Sequence, residues 1–430
     1  MSGYRPFIGL EIHVELATKS KMFCGCCADH FHKEPNTQTC PVCLGLPGAL
    51  PVPNKKAIDW TVFLGLVLGC RINKHSYFER KQYFYPDLPK GFQISQYERP
   101  FCFKGWFDEV NITRVHLEED TGKLIHRKIE GEKVTLIDFN RCGVPLVEIV
   151  TEPEIKSAEH AKEWLKKLQR VIRSLSISDC DMEKGSMRLE ANVSVSKNGK
   201  LPSYKVELKN INSFRFVEKA IEFEIQRQTE LFEKGQKIEQ ETRGFESDKG
   251  VTYLQRSKEE AFEYRYFPEP DIPPIVFTDG ELDKIRKQIP ELPEEKRQRF
   301  VKEYSLNEQE ADYFVSNPSA AQYFEVLYLE KNFNLDFRET ARLIINKKID
   351  WENISPADFK AEVAVLQEGG LSDQVELAKA AKIVVDGNPK AVADYRKGKT
   401  NTVGFLVGQM MKKTKVDPNL ARQELLKILE

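Results

Sequence analysis

Residues 7–16 alternate without a break. Ile8, Leu10, Ile12, Val14 and Leu16 are apolar, and Glu11, His13 and Glu15 fall between them. Successive side chains of a strand point to opposite faces, so this pattern predicts a strand with one dry and one polar side. Such a strand must pair with others and have its dry side covered, which commits the chain to a sheet backed by helices. The pattern returns where Leu189, Ala191, Val193 and Val195 oppose Arg188, Glu190, Asn192 and Ser194. It returns again where Val206 and Leu208 oppose Lys205, Glu207 and Lys209. Residues 146–150 are apolar except for Glu148, which predicts a carboxylate planted in a buried strand.

Two amphipathic helices are predicted between these strands. One follows Ser157 and carries Ala161, Trp164, Leu165, Leu168, Val171, Ile172 and Leu175. The other follows Ser213 and carries Val217, Ile221, Ile225, Gln228 and Leu231. The expectation is an α+β domain on a largely antiparallel sheet over residues 1–290. After Pro290-Glu-Leu-Pro293 the pattern turns helical, with breaks at Asn317-Pro318, Ser355-Pro356 and Asn388-Pro389. We expect one helical domain over residues 291–355 and a small helical tail domain over 356–430. From about Tyr395 the tail is locally basic, with Arg396, Lys397, Lys399, Lys412, Lys413, Lys415, Arg422 and Lys427 against Asp417 and Glu424. Such a tail can grip phosphates or simply present a solvated helix face, and composition leaves both open.

Charged residues make up 30% of the 430 residues and balance to a formal net charge of -1. No bulk basic field exists, so any nucleic-acid contact must come from local patches. The longest apolar stretch, from Ala57 to Cys70, is interrupted by Asp59 and Thr61 and is too short to span a bilayer. It reads as a buried helix ending near Gly69. An odd count of nine cysteines, with no signal peptide ahead of them, argues for a reducing compartment, and the expectation is a cytoplasmic protein without membrane attachment.

Four of the cysteines form two Cys-x-x-Cys knuckles, Cys24 with Cys27 and Cys40 with Cys43. Two thiolate pairs, each closing a tight turn, supply the soft tetrahedral set of a structural zinc site. Cys26 leaves the second ligand open between Cys26 and Cys27. Cys70, Cys102, Cys142 and Cys180 lie singly and read as small core hydrophobes.

Several strands carry acids on their polar sides, and residues 116–123 (His-Leu-Glu-Glu-Asp-Thr-Gly-Lys) add three in a row beside a histidine. Clustered acids repel one another unless a cation sits among them, and Mg²⁺ takes hard oxygen ligands. A set drawn from Glu11, His13, Glu119, Glu148 and Glu190 would hold one or two such ions. The sequence contains neither a Walker A pattern nor a G-x-G-x-x-G turn, and no Ser-His-Asp or papain-like signature. Any ATP site is therefore neither a P-loop nor a Rossmann turn.

Longer motifs follow in order along the chain. They are residues 8–16, residues 40–54 (Cys-Pro-Val-Cys-Leu-Gly-Leu-Pro-Gly-Ala-Leu-Pro-Val-Pro-Asn), and residues 80–90 (Arg-Lys-Gln-Tyr-Phe-Tyr-Pro-Asp-Leu-Pro-Lys). Residues 93–97, 116–123, 145–153, 182–188 and 264–271 (Tyr-Arg-Tyr-Phe-Pro-Glu-Pro-Asp) complete the series. Together they resemble the B subunits of the bacterial tRNA-dependent amidotransferases, over nearly the whole chain. That family converts Glu-tRNA(Gln) to Gln-tRNA(Gln) or Asp-tRNA(Asn) to Asn-tRNA(Asn).

The resemblance implies that ATP and Mg²⁺ phosphorylate the side-chain carboxylate of the misacylated amino acid. Ammonia, released from glutamine by the glutaminase partner (the family's A subunit), then displaces the phosphate, and the small C subunit joins them in the assembly. It implies that Glu11, His13, Glu119 and Glu148 are catalytic metal ligands, with Glu190 as a fifth. It places Arg80, Lys81 and Tyr83 near phosphates or the acceptor end, makes the polar sheet faces carrying Lys205, Glu207 and Lys209 walls of the channel or substrate site, with Lys205 among the cofactor-binding residues, and sets the tail domain against the tRNA elbow. Two departures stand out. The commonest family form has Asp at the position of Glu190, preceded by Cys at that of Leu189. Zinc-bearing members usually carry Cys-x-Cys before Cys-x-x-Cys, which favours Cys26 over Cys27, and members lacking these cysteines imply a structural zinc. The rival reading is a tRNA-binding scaffold without chemistry of its own.

Overall fold

In the computed structural model, residues 3–257, 264–329, 336–368, 374–397, 399–414 and 418–429 are described. The chain divides into two compact units, residues 1–293 and 294–430. Among the described residues no helix is long and apolar enough to cross a membrane.

The first unit opens with β1 (Arg5–Glu15), α1 (Lys55–Val67), β2 (Arg71–Ile72), β3 (His75–Ser76), β4 (Glu79–Gln82) and β5 (Phe92–Ser95). It continues through β6 (Cys102–Phe107), β7 (Val110–Glu119), β8 (Lys123–Ile129), β9 (Glu132–Asp138), β10 (Pro145–Thr151) and α2 (Ala158–Ser174). It ends with β11 (Met187–Ser196), β12 (Val206–Ile211), α3 (Phe214–Glu233), β13 (Glu241–Glu246), β14 (Val251–Ser257), β15 (Phe267–Pro268), β16 (Ile275–Val276) and α4 (Asp279–Arg286). A nine-stranded sheet in the order β14-β13-β12-β11-β1-β10-β7-β6-β2 forms its spine. All its pairs are antiparallel except β12 with β13. The expected α+β architecture is thus the one observed.

β1 lies at the middle of the sheet, and its alternation decides the layering. Ile8, Leu10, Ile12 and Val14 are buried in one core with Val115, Leu117, Val147, Ile149, Leu189, Ala191 and Leu208. The helices supply the cover, with Val62 and Leu64 of α1, Trp164 and Leu168 of α2, and Val217 and Ile221 of α3 in the same core. Each such side chain contributes about 1.5–3 kcal/mol by leaving water. Capping starts the helices where the sequence suggests: Asn54 accepts from the amides of Lys56 and Ala57, Ser157 from His160, and Ser213 from Phe216. α1 sits close on β6 because Gly65 and Gly105 leave room. A Cβ on Gly105 would lie 2.4 Å from Cys70 Sγ and 2.6 Å from the Leu68 carbonyl oxygen.

The second unit is helical: α5 (Pro293–Glu303), α6 (Glu308–Ser316), α7 (Pro318–Leu329), α8 (Phe337–Ile345), α9 (Pro356–Glu368), α10 (Gln374–Asp386), α11 (Pro389–Arg396), α12 (Thr402–Lys413) and α13 (Pro418–Leu429). Its described residues form two cores, one around Phe300, Phe314, Phe324 and Trp351, the other around Leu377, Leu406, Met410 and Leu425. Phe359 and Val363 of α9 belong to the first of these. Proline at the start of α9 opens the helix. In the tail, Lys399 pairs with Asp394 at 3.2 Å and Lys427 with Glu424. Arg396, Lys397, Lys412 and Arg422 are exposed. Lys415, Asp417 and the Lys413 side chain lie outside the described residues.

Candidate active site

The register of five neighbouring strands brings the polar sides together. His13 lies opposite Glu148 on one side and Arg188 on the other, Glu11 opposite Glu190, Glu148 opposite His116, and Asn192 opposite Glu207. Cross-strand partners project from the same face, so Glu11, His13, His116, Glu148, Glu190 and Glu207 share one cleft of about 240 Å³ on the polar side of the sheet.

Two acid-rich groups occupy it. In the first, His13 Nε2 lies 3.5 Å from Glu148 Oε2 and 3.9 Å from Glu118 Oε1. His116 Nε2 lies 3.3 Å from Glu148 Oε2 and 3.5 Å from Glu118 Oε2, and Ser95 donates to Glu118 at 2.9 Å. The second joins Glu11, Glu190 and Glu207. Asn192 donates to Glu11 at 2.7 Å, Lys209 to Glu190 at 2.7 Å, and Thr242 to Glu207 at 2.7 Å. Ligand atoms of His13, Glu118 and Glu148, and separately of Glu11, Glu190 and Glu207, lie within 4.8 Å of one another. Both sets suit a hard divalent cation such as Mg²⁺.

Charge balance explains how such a cluster is tolerated in a cleft. Burial disfavours charge on His13, but the hydrogen bond and charge of Glu148 outweigh it and lift its pKa to about 9. Burial would likewise raise Glu148, yet His116 and His13 hold it well below the usual carboxylate range. Lys81 reaches in from β4. Burial opposes its charge, while Tyr266 and Glu118 favour it and raise its pKa. Lys81 makes no hydrogen bond or ion pair among the described residues. Its ammonium lies 4.9 Å from the Tyr264 ring centroid and 5.7 Å from that of Tyr83. Tyr97 and Tyr266 stack beside it at 4.7 Å. A desolvated cation within an aromatic wall, facing carboxylates, is built to meet a polyanion.

The sequence-predicted residues divide accordingly. Glu11, His13, Glu148, Glu190 and Lys81 come together, and Lys205 stands at the rim, 3.8 Å from Glu11. Glu119 does not join them. The two-residue period of β7 turns Glu118 toward His13 and Glu119 the other way, where it is ion-paired to Lys90 and accepts from the Ile94 amide at 2.9 Å. Arg80 also faces away from the cleft. It forms a bidentate pair with Glu269 at 2.7 and 2.8 Å and lies over the Phe92 ring, so its charge is already engaged inside the protein. Tyr83 is a wall of the Lys81 cage. Glu207 and Lys209, expected as channel or substrate walls, line the cleft, and Glu118 and His116 complete it. The pattern Arg114-Val-His-Leu-Glu carries the signal for the last two, since Val115 and Leu117 are buried on the dry side.

In the cysteine loop, the Sγ atoms of Cys24, Cys26, Cys40 and Cys43 lie within 4.8 Å of one another, while Cys27 is exposed and outside the group. Four thiols at this spacing fit a tetrahedral zinc ion. The hydrogen bond from Cys24, with further help from buried Lys21, lowers the Cys43 pKa to about 5, which favours the thiolate a metal needs. Lys21 Nζ is 3.7 Å from that sulfur and 2.8 Å from the Gln38 carbonyl oxygen.

Two family descriptions match the chain. The family description "GatB/GatE catalytic domain" matches residues 6–283, and "GatB domain" matches residues 358–429. The chain is 43% identical to the B subunit of the aspartyl/glutamyl-tRNA(Asn/Gln) amidotransferase from Caldicellulosiruptor bescii, over 99% of each chain. It is 44% identical to its counterpart from Thermodesulfovibrio yellowstonii over 99% of each, and 42% to that from Dehalococcoides mccartyi over the full length of both. With matches on both of its units and across its whole length, the chain belongs to the family of B subunits of the aspartyl/glutamyl-tRNA(Asn/Gln) amidotransferases.

Proposed function

We propose that the cleft on the polar side of the sheet activates the side-chain carboxylate of glutamate or aspartate carried on a tRNA. A carboxylate is a poor electrophile. Attack of its oxygen on the γ-phosphorus of ATP, with ADP leaving, converts it to an acyl phosphate. Ammonia then attacks the acyl carbon, and the amide forms as phosphate departs with the extra proton.

In this reading His13, Glu118 and Glu148 would hold one Mg²⁺, and Glu11, Glu190 and Glu207 would hold a second. Bound there, Mg²⁺ would offset the charge on ATP and carboxylate as the phosphoryl group moves. Lys81, with no hydrogen bond or ion pair among the described residues, pairs with a phosphate oxygen, and its aromatic wall keeps water from competing. His116 and Arg114 hold Glu148 from the side away from His13. Asn192 and Lys205 hold Glu11, and Lys209 holds Glu190. Zinc in the cysteine loop is structural.

The relatives are named as one component of a larger enzyme, which supports an assembly of several chains. A glutaminase partner supplies the ammonia there, and a small third protein joins them. The exposed tail cations Arg396, Lys397, Lys412 and Arg422 are available for phosphates of the tRNA. The protein is read as acting in the cytoplasm.

The observation that carries this function is the pair of carboxylate groups facing a half-buried lysine that makes no hydrogen bond or ion pair among the described residues. The test is amidation of Glu-tRNA(Gln) and Asp-tRNA(Asn) with ATP, Mg²⁺ and ammonium chloride, by the chain co-expressed with its partner proteins. Glu148→Gln is expected to lose more than about 100-fold in rate, since it removes a metal ligand and not only a supporting contact. Equal product from both proteins would move the chemistry out of this chain.

A further inference from the structure

The carboxylate cleft is the middle of a longer trough. It shares Glu11 with a narrow recess of about 210 Å³ and shares Tyr97 and Arg114 with a wide groove of about 1030 Å³. We propose that the wide groove seats the single-stranded 3′ end of the aminoacylated RNA, a deepening that rests on the function proposed above.

Room is the first argument. The recess is about a fifth the size of the groove, so of the two openings only the groove can take a polymer end and still deliver its ester to the metal-binding acids. Stacking is the second. Tyr97 stacks on Tyr266 with an interplanar angle of 16°, yet is 48% exposed, which leaves a ring face open at the junction of groove and cleft. A supported ring of this kind is a platform for a base of any sequence.

Charge is the third. Arg99 and Lys104 line the groove, are exposed, and make no ion pair among the described residues. Lys104 holds a left-handed backbone, φ 49°, in the middle of β6. That conformation is strained for a lysine, and it sets Lys104 in the groove together with its neighbours Phe103 and Gly105. Two free cations beside a stacking ring suit the backbone of a single strand. Three acids line the same groove, Glu98, Glu152 and Glu154, and each accepts from a neutral group: Glu98 from Tyr77 at 2.5 Å, Glu152 from Thr113 at 2.7 Å and Glu154 from Asn111 at 2.9 Å. Carboxylates fixed this way are acceptors for exocyclic base amines.

The experiment uses the chain assembled with its partner proteins and two readouts. In ammonia-dependent amidation, the double variant R99A/K104A is expected to raise KM for aminoacyl-tRNA with kcat little changed. It should also make the log–log salt dependence of tRNA binding shallower by about 1.4, at roughly 0.7 per phosphate contact on a single strand. Tyr97→Leu is expected to raise the same KM about tenfold. K166A, a lysine removed from α2 outside the trough, keeps the wild-type KM. Independently, tRNA ending in 8-azidoadenosine should cross-link to peptides containing residues 97–105. Wild-type KM and salt slope in R99A/K104A and Tyr97→Leu, or a cross-link confined to the recess around residues 201–205, overturns the proposal. Failure of the wild type to amidate sinks the functional reading instead, and the cross-link still decides where the RNA end sits.

Discussion

His13 is both a metal ligand candidate and, without metal, a cation between two carboxylates. Its pKa of about 9 is above the ordinary 6.5, so in the metal-free chain the pairing stabilises fully below pH 6.5 and is lost as pH rises through about 9. The contribution is at most about 3 kcal/mol. A ligating imidazole must be neutral, so an entering cation has to expel that proton. We expect Mg²⁺ affinity to rise with pH up to about 9. Calorimetry at pH 7.5 in two buffers of different ionisation enthalpy should show release of up to one proton per ion, and absence of release would remove His13 from the ligand set. A second prediction separates the neighbouring acids Glu118 and Glu119. Glu118→Gln should weaken Mg²⁺ binding with little change in melting temperature. Glu119→Gln strands Lys90 as a buried unpaired charge and should cost about 3–5 kcal/mol of stability while Mg²⁺ binding survives in the folded protein. Thermal melts beside metal titrations read both effects, and the opposite pattern would return Glu119 to the site.

At the scale of elements, the alternation of β1, β7, β10, β11 and β12 places the acids and histidines of the cleft, and helices α1, α2 and α3 make that alternation obligatory by burying the other face. A slip of one residue in any of these strands would exchange acids for leucines and valines, so register is held by the core itself. The seat of α1 on β6 is close, with Gly65 and Gly105 at the contact. Gly105→Ala pushes a methyl group against the Leu68 carbonyl and the Cys70 sulfur, and it should destabilise the first unit by about 1–3 kcal/mol. A denaturant melt monitored by tryptophan fluorescence would show it. An unchanged midpoint would mean that α1 can shift at no cost.

At the scale of the molecule, the cores of the two units have no residue in common. Phe324→Ala should therefore destabilise the second unit by about 3–5 kcal/mol and leave Mg²⁺ binding in the first intact. Differential scanning calorimetry should show one transition moving and another standing still, whereas a single shifted transition would show that the units unfold together. Much of this architecture was legible beforehand. Strict alternation at Ile8 to Leu16 announced the central strand, Ser157 and Ser213 announced two helices, and the proline breaks announced the helical half, because each signal is carried by neighbours in the chain. Glu11, His13 and Glu148 were legible as candidates because each interrupts or faces an apolar strand. Their partners were harder to read. Whether Glu118 or Glu119 meets His13, whether Arg80 is free or clamped by Glu269, and which of Cys26 and Cys27 joins the other cysteines depend on side chains over a hundred residues apart or on the turn of a loop. The sequence by itself determined the strands, the helices and the supply of acids, since those follow from local period and capping. Only the tertiary structure decided which acids share a cleft with which cations, because strand register and side-chain direction are settled by packing across the whole sheet.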